Sequence, residues 1–227
     1  MKQALQHQKV KSIYNHSSGY YDLLHTLGTF RLDEKGRKYL IKKIVQPSDY
    51  ILDAGGGTGL TALKAAKLFN EKGKIVILDF SENMLKRASE KASGLNLSDK
   101  VETRLGDMYQ IPFADETFDS VLSTYSTCPL ADPMLAVKEM LRVLKKGGRL
   151  GIAHSSDPKN KLARWLSSRL EMLIWMFPGL SLGCRNIELM DKIRELDVEV
   201  VEDKLIGFVP FYFRIIVLVK KQETAFS

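Results

Sequence analysis

The sequence predicts a doubly wound α/β domain, and three observations predict it. From Tyr50 onward, short apolar runs alternate with helical segments, the pattern of a parallel sheet covered by helices on both faces. The first run ends in an acid and passes into glycines at alternate positions, Asp53-Ala54-Gly55-Gly56-Gly57-Thr58-Gly59. The next two runs also end at or just before acids, Asp79 and Asp107. In open α/β sheets the strand ends bound one crevice, where ligands bind.

The first 45 residues stand outside the repeat and read as a helical lid. Residues 50–54 read as a strand and 60–69 as a helix behind the glycine turn. A second strand covers 74–79. The helix predicted over 82–92 is capped by Ser81, with Met84, Leu85 and Ala88 on one face. Strands three and four fall at 101–105 and 118–123. The helix near 134–144 stops at Lys145-Lys146-Gly147-Gly148, a basic last turn with glycine stop signals. Residues 149–153 form the fifth strand. Beyond 155 the pattern changes to a long helix over 159–177, a helix over 187–196 behind Asn186, and two strands, 198–205 and 211–220, close enough to pair. We read one domain: a lid (1–45), a ligand-binding core (46–155), and substrate-side helices with a strand pair (156–227).

A chain of 227 residues buries a substantial core, and its 44% hydrophobic and 27% charged composition is globular. The net charge of +7 suits anionic ligands or surfaces as well as plain solubility. Cys128 and Cys184 stand far apart with no CxxC spacing, so they read as small buried hydrophobes of a reducing cytosol. The start of the chain is polar and Gln-rich, so no signal peptide is expected. The longest uncharged stretch, 172–184, is interrupted by Pro178-Gly179 and is shorter than the roughly 20 residues of a membrane span.

Glycines in the loop permit positive φ and close approach of a ligand to the backbone. A ligand carboxylate fits beside the helix start, and Asp53 fits an ammonium, directly or through water. An amino-acid-like group suits that combination better than a pyrophosphate. Gly57-Thr58-Gly59-Leu60-Thr61-Ala62 also matches GxGxxA, so a nicotinamide-dependent oxidoreductase is the competing reading. In either, Asp79 accepts hydrogen bonds from ribose hydroxyls. Asp107 suits the adenine amino group, with Met108 packed on the ring.

These residues resemble class I S-adenosylmethionine-dependent methyltransferases, closest to the ubiquinone/menaquinone C-methyltransferases and phospholipid N-methyltransferases. The segments that carry the resemblance are Tyr20-Tyr21-Asp22, the loop of Asp53, Gly55, Gly57 and Gly59, Leu78-Asp79-Phe80-Ser81, Gly106-Asp107-Met108, Ile111-Pro112-Phe113 and Arg142-Val143-Leu144-Lys145-Lys146-Gly147-Gly148. The resemblance implies a Rossmann-like, seven-stranded, mostly parallel sheet with a C-terminal antiparallel hairpin. It implies S-adenosyl-L-methionine as cofactor, its methionine part on the loop, its ribose on Asp79, and its adenine on Asp107 and Met108. Phe80 and Met84 would lie against the adenine faces, with Ser123 on the same side. The run Ser123-Thr124-Tyr125-Ser126 lacks the Arg-Asn pair expected of the quinone enzymes. The Asn/Asp-Pro-Pro-aromatic motif of nucleic-acid amino methylation is absent, so nucleic acid is not the expected acceptor. A methyltransferase-like protein without catalysis is a further reading.

Methyl transfer from a sulfonium needs positioning more than covalent help, and no cluster with metal-ligand spacing appears. His154, Tyr125 and Tyr21 are the candidates to accept a proton from the acceptor, with Asp22 and His25 on the lid beside them. In 159–177, Leu162, Leu166, Leu170, Leu173 and Phe177 form an apolar stripe, among basic Lys159, Lys161, Arg164 and Arg169. That helix reads as a buried lid, a wall for a lipophilic acceptor, or a peripheral membrane face.

Overall fold

The computed structural model describes residues 7–22, 31–158, 160–175, 184–209 and 211–222. Helices α1 (His7–Ser17) and α2 (Leu32–Ile44) precede β1 (Tyr50–Ala54), α3 (Leu60–Ala66), β2 (Lys74–Asp79), α4 (Glu82–Gly94) and β3 (Val101–Leu105). Next come β4 (Phe118–Thr124), α5 (Pro133–Val143), β5 (Leu144–Ser155), α6 (Lys161–Trp175), α7 (Met190–Ile193), β6 (Val198–Phe208) and β7 (Phe211–Lys220). The strands form one sheet in the order β3-β2-β1-β4-β5-β7-β6. β1 to β5 pair in parallel, and β7 runs antiparallel between β5 and β6. The sheet is therefore the mostly parallel, doubly wound one that the sequence implied.

Its central strands are apolar at consecutive positions because both faces are covered. Ile51, Ile75 and Ile77 point into a core shared with Leu40 and Ile44 of α2, Leu63 of α3 and Leu85 of α4. Their neighbours Leu52, Val76 and Leu78 point into the opposite core with Val137 and Met140 of α5 and Ile193 of α7. The edge strand β6 carries Glu199, Glu202, Asp203 and Lys204, charges that discourage pairing with another chain.

Helix starts follow local chemistry. The Ser81 hydroxyl caps α4 by accepting from the Met84 N–H at 3.3 Å, and Asp132 caps α5 by accepting from Met134 and Leu135. Other boundaries differ from the sequence reading. The helix expected over 187–196 is a single turn: residues 184–189 form no regular element, and Ile187 and Leu189 are buried on the approach to it. The helix expected over 60–69 ends at Ala66, and Phe69 turns inward to the core. Residues 145–148 do not close α5. They belong to β5, which begins where Leu144 pairs with Phe118 and shifts register before Arg149 pairs with Ser120. Of the long helix expected over 159–177, residues 159, 176 and 177 lie outside the described ones.

The N-terminal segment packs on α4 through Val10, Tyr14, Tyr21 and Met84. Polar contacts fix it: the Ser81 hydroxyl lies 2.5 Å from Asn15 Oδ1, and the Asn83 amide donates to the Asn15 carbonyl at 3.3 Å. α2 approaches the end of β4 so closely that a Cβ on Gly36 would overlap the Tyr125 hydroxyl. A helical Gly→Ala change ordinarily stabilises by about 0.5–1 kcal/mol. Gly36→Ala should instead destabilise by about 1–3 kcal/mol in urea denaturation, the cost of overpacking. A more stable variant would show that Tyr125 does not sit against α2.

Candidate functional site

A cavity opens at the C-terminal ends of β1, β2 and β4, under α1 and beside α2. The glycine loop forms its floor. Gly55, Gly57 and Gly59 have φ of 68°, 55° and 80°, and a Cβ on Gly55 would come within 2.8 Å of the Met108 sulfur. Only glycine fits there without displacing Met108 or Ser126. The Gly55 and Gly56 N–H groups both donate to the Leu78 carbonyl, which fixes the loop against β2.

Asp79 stands at the cavity edge with both oxygens oriented. Oδ2 accepts from the Gly57 N–H and Oδ1 from the Ser81 N–H, each at 2.9 Å. Burial pushes its carboxyl up to about 6, against the pull of the backbone N–H donors of Ser81, Gly57 and Phe80. Asp53 lies beneath the loop, not in the cavity lining. Its Oδ2 accepts from the Ala62 N–H at 3.2 Å, Oδ1 has no hydrogen-bond partner, and burial raises the carboxyl to about 7. Asp107, oriented by the Tyr109 N–H at 2.9 Å, lines the cavity with Met108 and Phe80.

The other expected residues divide by position. Gly55 and Gly57 line the cavity, whereas Gly59, Met84 and Ser123 sit behind it. Met84 is fully buried under the lid. The Ser123 hydroxyl is 2.7 Å from that of Ser126, and Ser126 is the one that lines the cavity. Tyr21 and Tyr125 reach it, but burial raises both phenols far above their ordinary range. Tyr125 also donates to the Asp33 carbonyl at 3.2 Å. His154 does not reach the cavity. It is wholly buried on β5 opposite Arg214 of β7, its Nδ1 2.9 Å from the Ser155 carbonyl, and burial lowers it to about 4. None of the three is placed as a ready base. Asp22 accepts from the Thr58 hydroxyl at 2.5 Å and pairs with Lys91, tying lid to loop. His25 lies outside the described residues.

Sequence reasoning missed Arg37, Thr124 and Ser126 in the lining. Thr124 ends β4 and Ser126 lies two residues beyond it, a position that could have flagged them. Arg37 had no signal, being one of several basic residues on α2. The two cysteines, distant in sequence, come close enough for each to shift the other's pKa, Cys128 downward and Cys184 upward, and Cys184 Sγ lies 4.0 Å from the Tyr14 hydroxyl.

A family model described as the ubiE/COQ5 methyltransferase family matches residues 2–175. The demethylmenaquinone methyltransferase of Desulfitobacterium hafniense (strain Y51) is 36% identical over 161 residues, 69% of this chain and 64% of that protein. The chain thus spans slightly under two thirds of that relative's length. Geranyl diphosphate C-methyltransferase from Streptomyces coelicolor A3(2), solved with Mg2+, geranyl diphosphate and S-adenosyl-L-homocysteine, superposes with a TM-score of 0.67 at 17% identity, covering 84% of this chain and 80% of that one. The [4+2]-cyclase SpnF gives 0.68 at 19%, covering 83% and 81%. A methyltransferase and a cyclase on one scaffold show that such likeness concerns the fold alone.

The raised carboxyl of Asp79 has a definite consequence for stability. The native state keeps this proton to a higher pH than the unfolded chain does, so the group's contribution is full below its unfolded value and is lost as pH rises through about 6. Asp79→Asn removes that loss. Relative to wild type, its stability should improve by up to about 3 kcal/mol between about pH 4 and about pH 8, whatever constant cost the substitution carries. Parallel denaturation curves at the two pH values, with no change in the difference, would contradict the buried placement.

Proposed function

The chain belongs to the ubiE/COQ5 methyltransferase family, and we propose on that footing that it is an S-adenosylmethionine-dependent methyltransferase acting on a prenylated quinone precursor. The observation that carries the cofactor is the doubly oriented Asp79 carboxylate beside a glycine floor. A buried acceptor held by two N–H groups retains lone pairs for the ribose hydroxyls. Asp107 and Met108 fit the adenine, and Phe80 and Tyr14 provide apolar cover. The unpartnered Asp53 Oδ1 beneath the loop suits a cationic amino group reached through water. The strand order also supports this reading over the nicotinamide one, since β7 inserts between β5 and β6 where the dinucleotide fold runs 3-2-1-4-5-6.

When bound, S-adenosylmethionine supplies an electrophilic methyl group on a sulfonium. This chain's residues hold and orient the reactants, which can account for about 7–11 kcal/mol of barrier reduction. Tyr14 and Tyr21, both buried, keep water from the reacting end. The demethylmenaquinone methyltransferase relative supports a lipophilic aromatic acceptor, as does the apolar wall of Val10, Pro129 and Leu130.

The same acceptor chemistry supports a peripheral membrane contact through α6. Its apolar side chains among the described residues are turned outward: Leu162 is 67% and Trp165 55% exposed, and Leu166, Leu170 and Met172 are exposed too. Lys161, Arg164 and Arg169 are exposed among them, with the Arg169 guanidinium 5.7 Å from the Trp165 ring centre. A basic helix with outward Trp and Leu suits an anionic interface. Among the described residues no helix is long and apolar enough to cross a membrane.

S-adenosylhomocysteine should raise the melting temperature, because a ligand of the folded state stabilises by mass action. Asp79→Ala should weaken its binding at least about tenfold, given about 1.5–3 kcal/mol for each hydrogen bond to a charged group. Calorimetric binding of NADP with none of S-adenosylhomocysteine would replace this reading with the oxidoreductase.

For α6, flotation with anionic vesicles should exceed that with neutral ones and decline with salt. Each basic residue near the surface contributes about 1 kcal/mol, so replacing Lys161, Arg164 and Arg169 by Gln should abolish most of it and leave cofactor affinity alone. Absence of flotation at low salt would remove the membrane contact.

A further inference from the structure

Among the described residues that line the cavity, Arg37 is the one cation. It projects from the middle of α2 and is 5% exposed. One guanidinium nitrogen, Nη1, donates to the Thr61 hydroxyl at 3.1 Å and the Thr124 hydroxyl at 2.9 Å. Nη2 faces Asp33 Oδ2 at 3.5 Å, and Nε has no hydrogen-bond partner. The Tyr125 ring lies 5.0 Å from the guanidinium carbon.

A buried guanidinium is tolerated when it is paired and its five donors are used. Here the ion pair is longer than the roughly 2.7–2.9 Å of a strong charge-assisted bond, and the Nε donor is unspent. Pairing with the buried Asp33 and bridging the two threonines use only part of the guanidinium's donors. The cavity already holds carboxylates at Asp79 and Asp107, on the β2 and β3 side, while Arg37 stands on the β4 side with Thr124 and Tyr125. That separation gives the cavity a cationic end.

We propose that Arg37 is the oxyanion-binding group of this cavity, receiving from a ligand either a carboxylate or an ionised aromatic ring oxygen. The proposal rests on the cavity being the ligand site of the methyltransferase. Two sources supply this chemistry: the amino-acid end of the cofactor and the hydroxyl of an aromatic acceptor. For the acceptor, binding as the oxyanion releases the hydroxyl proton to water and leaves a more electron-rich ring, in a cavity whose lining tyrosines stay protonated.

Two pairs of probes distinguish the sources. S-adenosylhomocysteine is compared with 5′-methylthioadenosine, which lacks the amino-acid end. The chromogenic phenol 4-nitro-1-naphthol reports its own ionisation by absorbance. Arg37→Gln should leave 5′-methylthioadenosine binding unchanged, which also certifies the fold. If the anion is the carboxylate, the variant loses about tenfold or more in S-adenosylhomocysteine affinity. If it is a ring oxygen, the bound naphthol loses similar affinity and ionises at higher pH than on wild type. Arg37→Lys should restore part of whichever is lost. Unchanged behaviour of both anions in a folded Arg37→Gln protein overturns the proposal. Should that variant fail to fold, Asp33→Asn decides: freeing the guanidinium should tighten one of the anions several-fold, and no change in either again overturns it. If wild type binds neither adenosine probe, the cofactor reading fails, and the naphthol titration still judges Arg37.

Discussion

The carboxylate of Asp79, held between the Gly57 and Ser81 N–H groups, is the contact through which the parts of the site are joined. Gly57 belongs to the loop after β1, and Ser81 begins α4, so one side chain fixes the loop to the strand and helix beside it. The links then spread outward. Ser81 meets Asn15 on α1, and Thr58, next to Gly57, meets Asp22, which pairs with Lys91 of α4. Burying a carboxylate costs several kcal/mol unless donors replace water; these backbone N–H groups offset part of that cost, and the remainder is the raised carboxyl. The loop, the helix start and the N-terminal segment are therefore positioned by the same group that stands at the cavity edge.

Much of the sheet was legible because each strand sits between two helical layers. Consecutive apolar residues such as Ile75-Val76-Ile77-Leu78 have no other use in a chain of this polarity. The acids at the strand ends were legible for the opposite reason, since Asp79 interrupts an apolar run at a fixed place. Tertiary effects hid the rest. The periodicity of 187–196 reads as a helix, yet Ile187 and Leu189 are buried ahead of it outside any regular element, and only one turn forms. The glycines at 147 and 148 read as a helix stop, but the Leu144–Phe118 pairing had already drawn the chain into β5.

Residues of the cavity lining show the same division. Lining side chains next to a recognisable turn were anticipated, and those arriving from elsewhere were not. Arg37 comes from α2, and its partners Thr61 and Thr124 come from α3 and β4, a meeting without a local sequence mark. His154 failed in the other direction. A strand-end histidine suggests chemistry, but β7 covers it on the side that a purely parallel sheet would leave open. In α6 the apolar stripe was visible, whereas the side it faces depends on what packs against it, and that is set by the whole fold.

The reversed strand β7 has a consequence for biosynthesis. β5 is complete by Ser155, but its second neighbour is not finished until Lys220, and β6 touches the sheet only through β7. While the chain emerges from the ribosome, β5 therefore waits with an unsatisfied row of N–H and C=O groups beside an apolar face, a state prone to mispairing. The family match ends at residue 175, before either strand that closes this edge. Nascent chains stalled near that point would carry every residue that lines the cavity yet display an adhesive border, and would depend on chaperones until the last hairpin arrives.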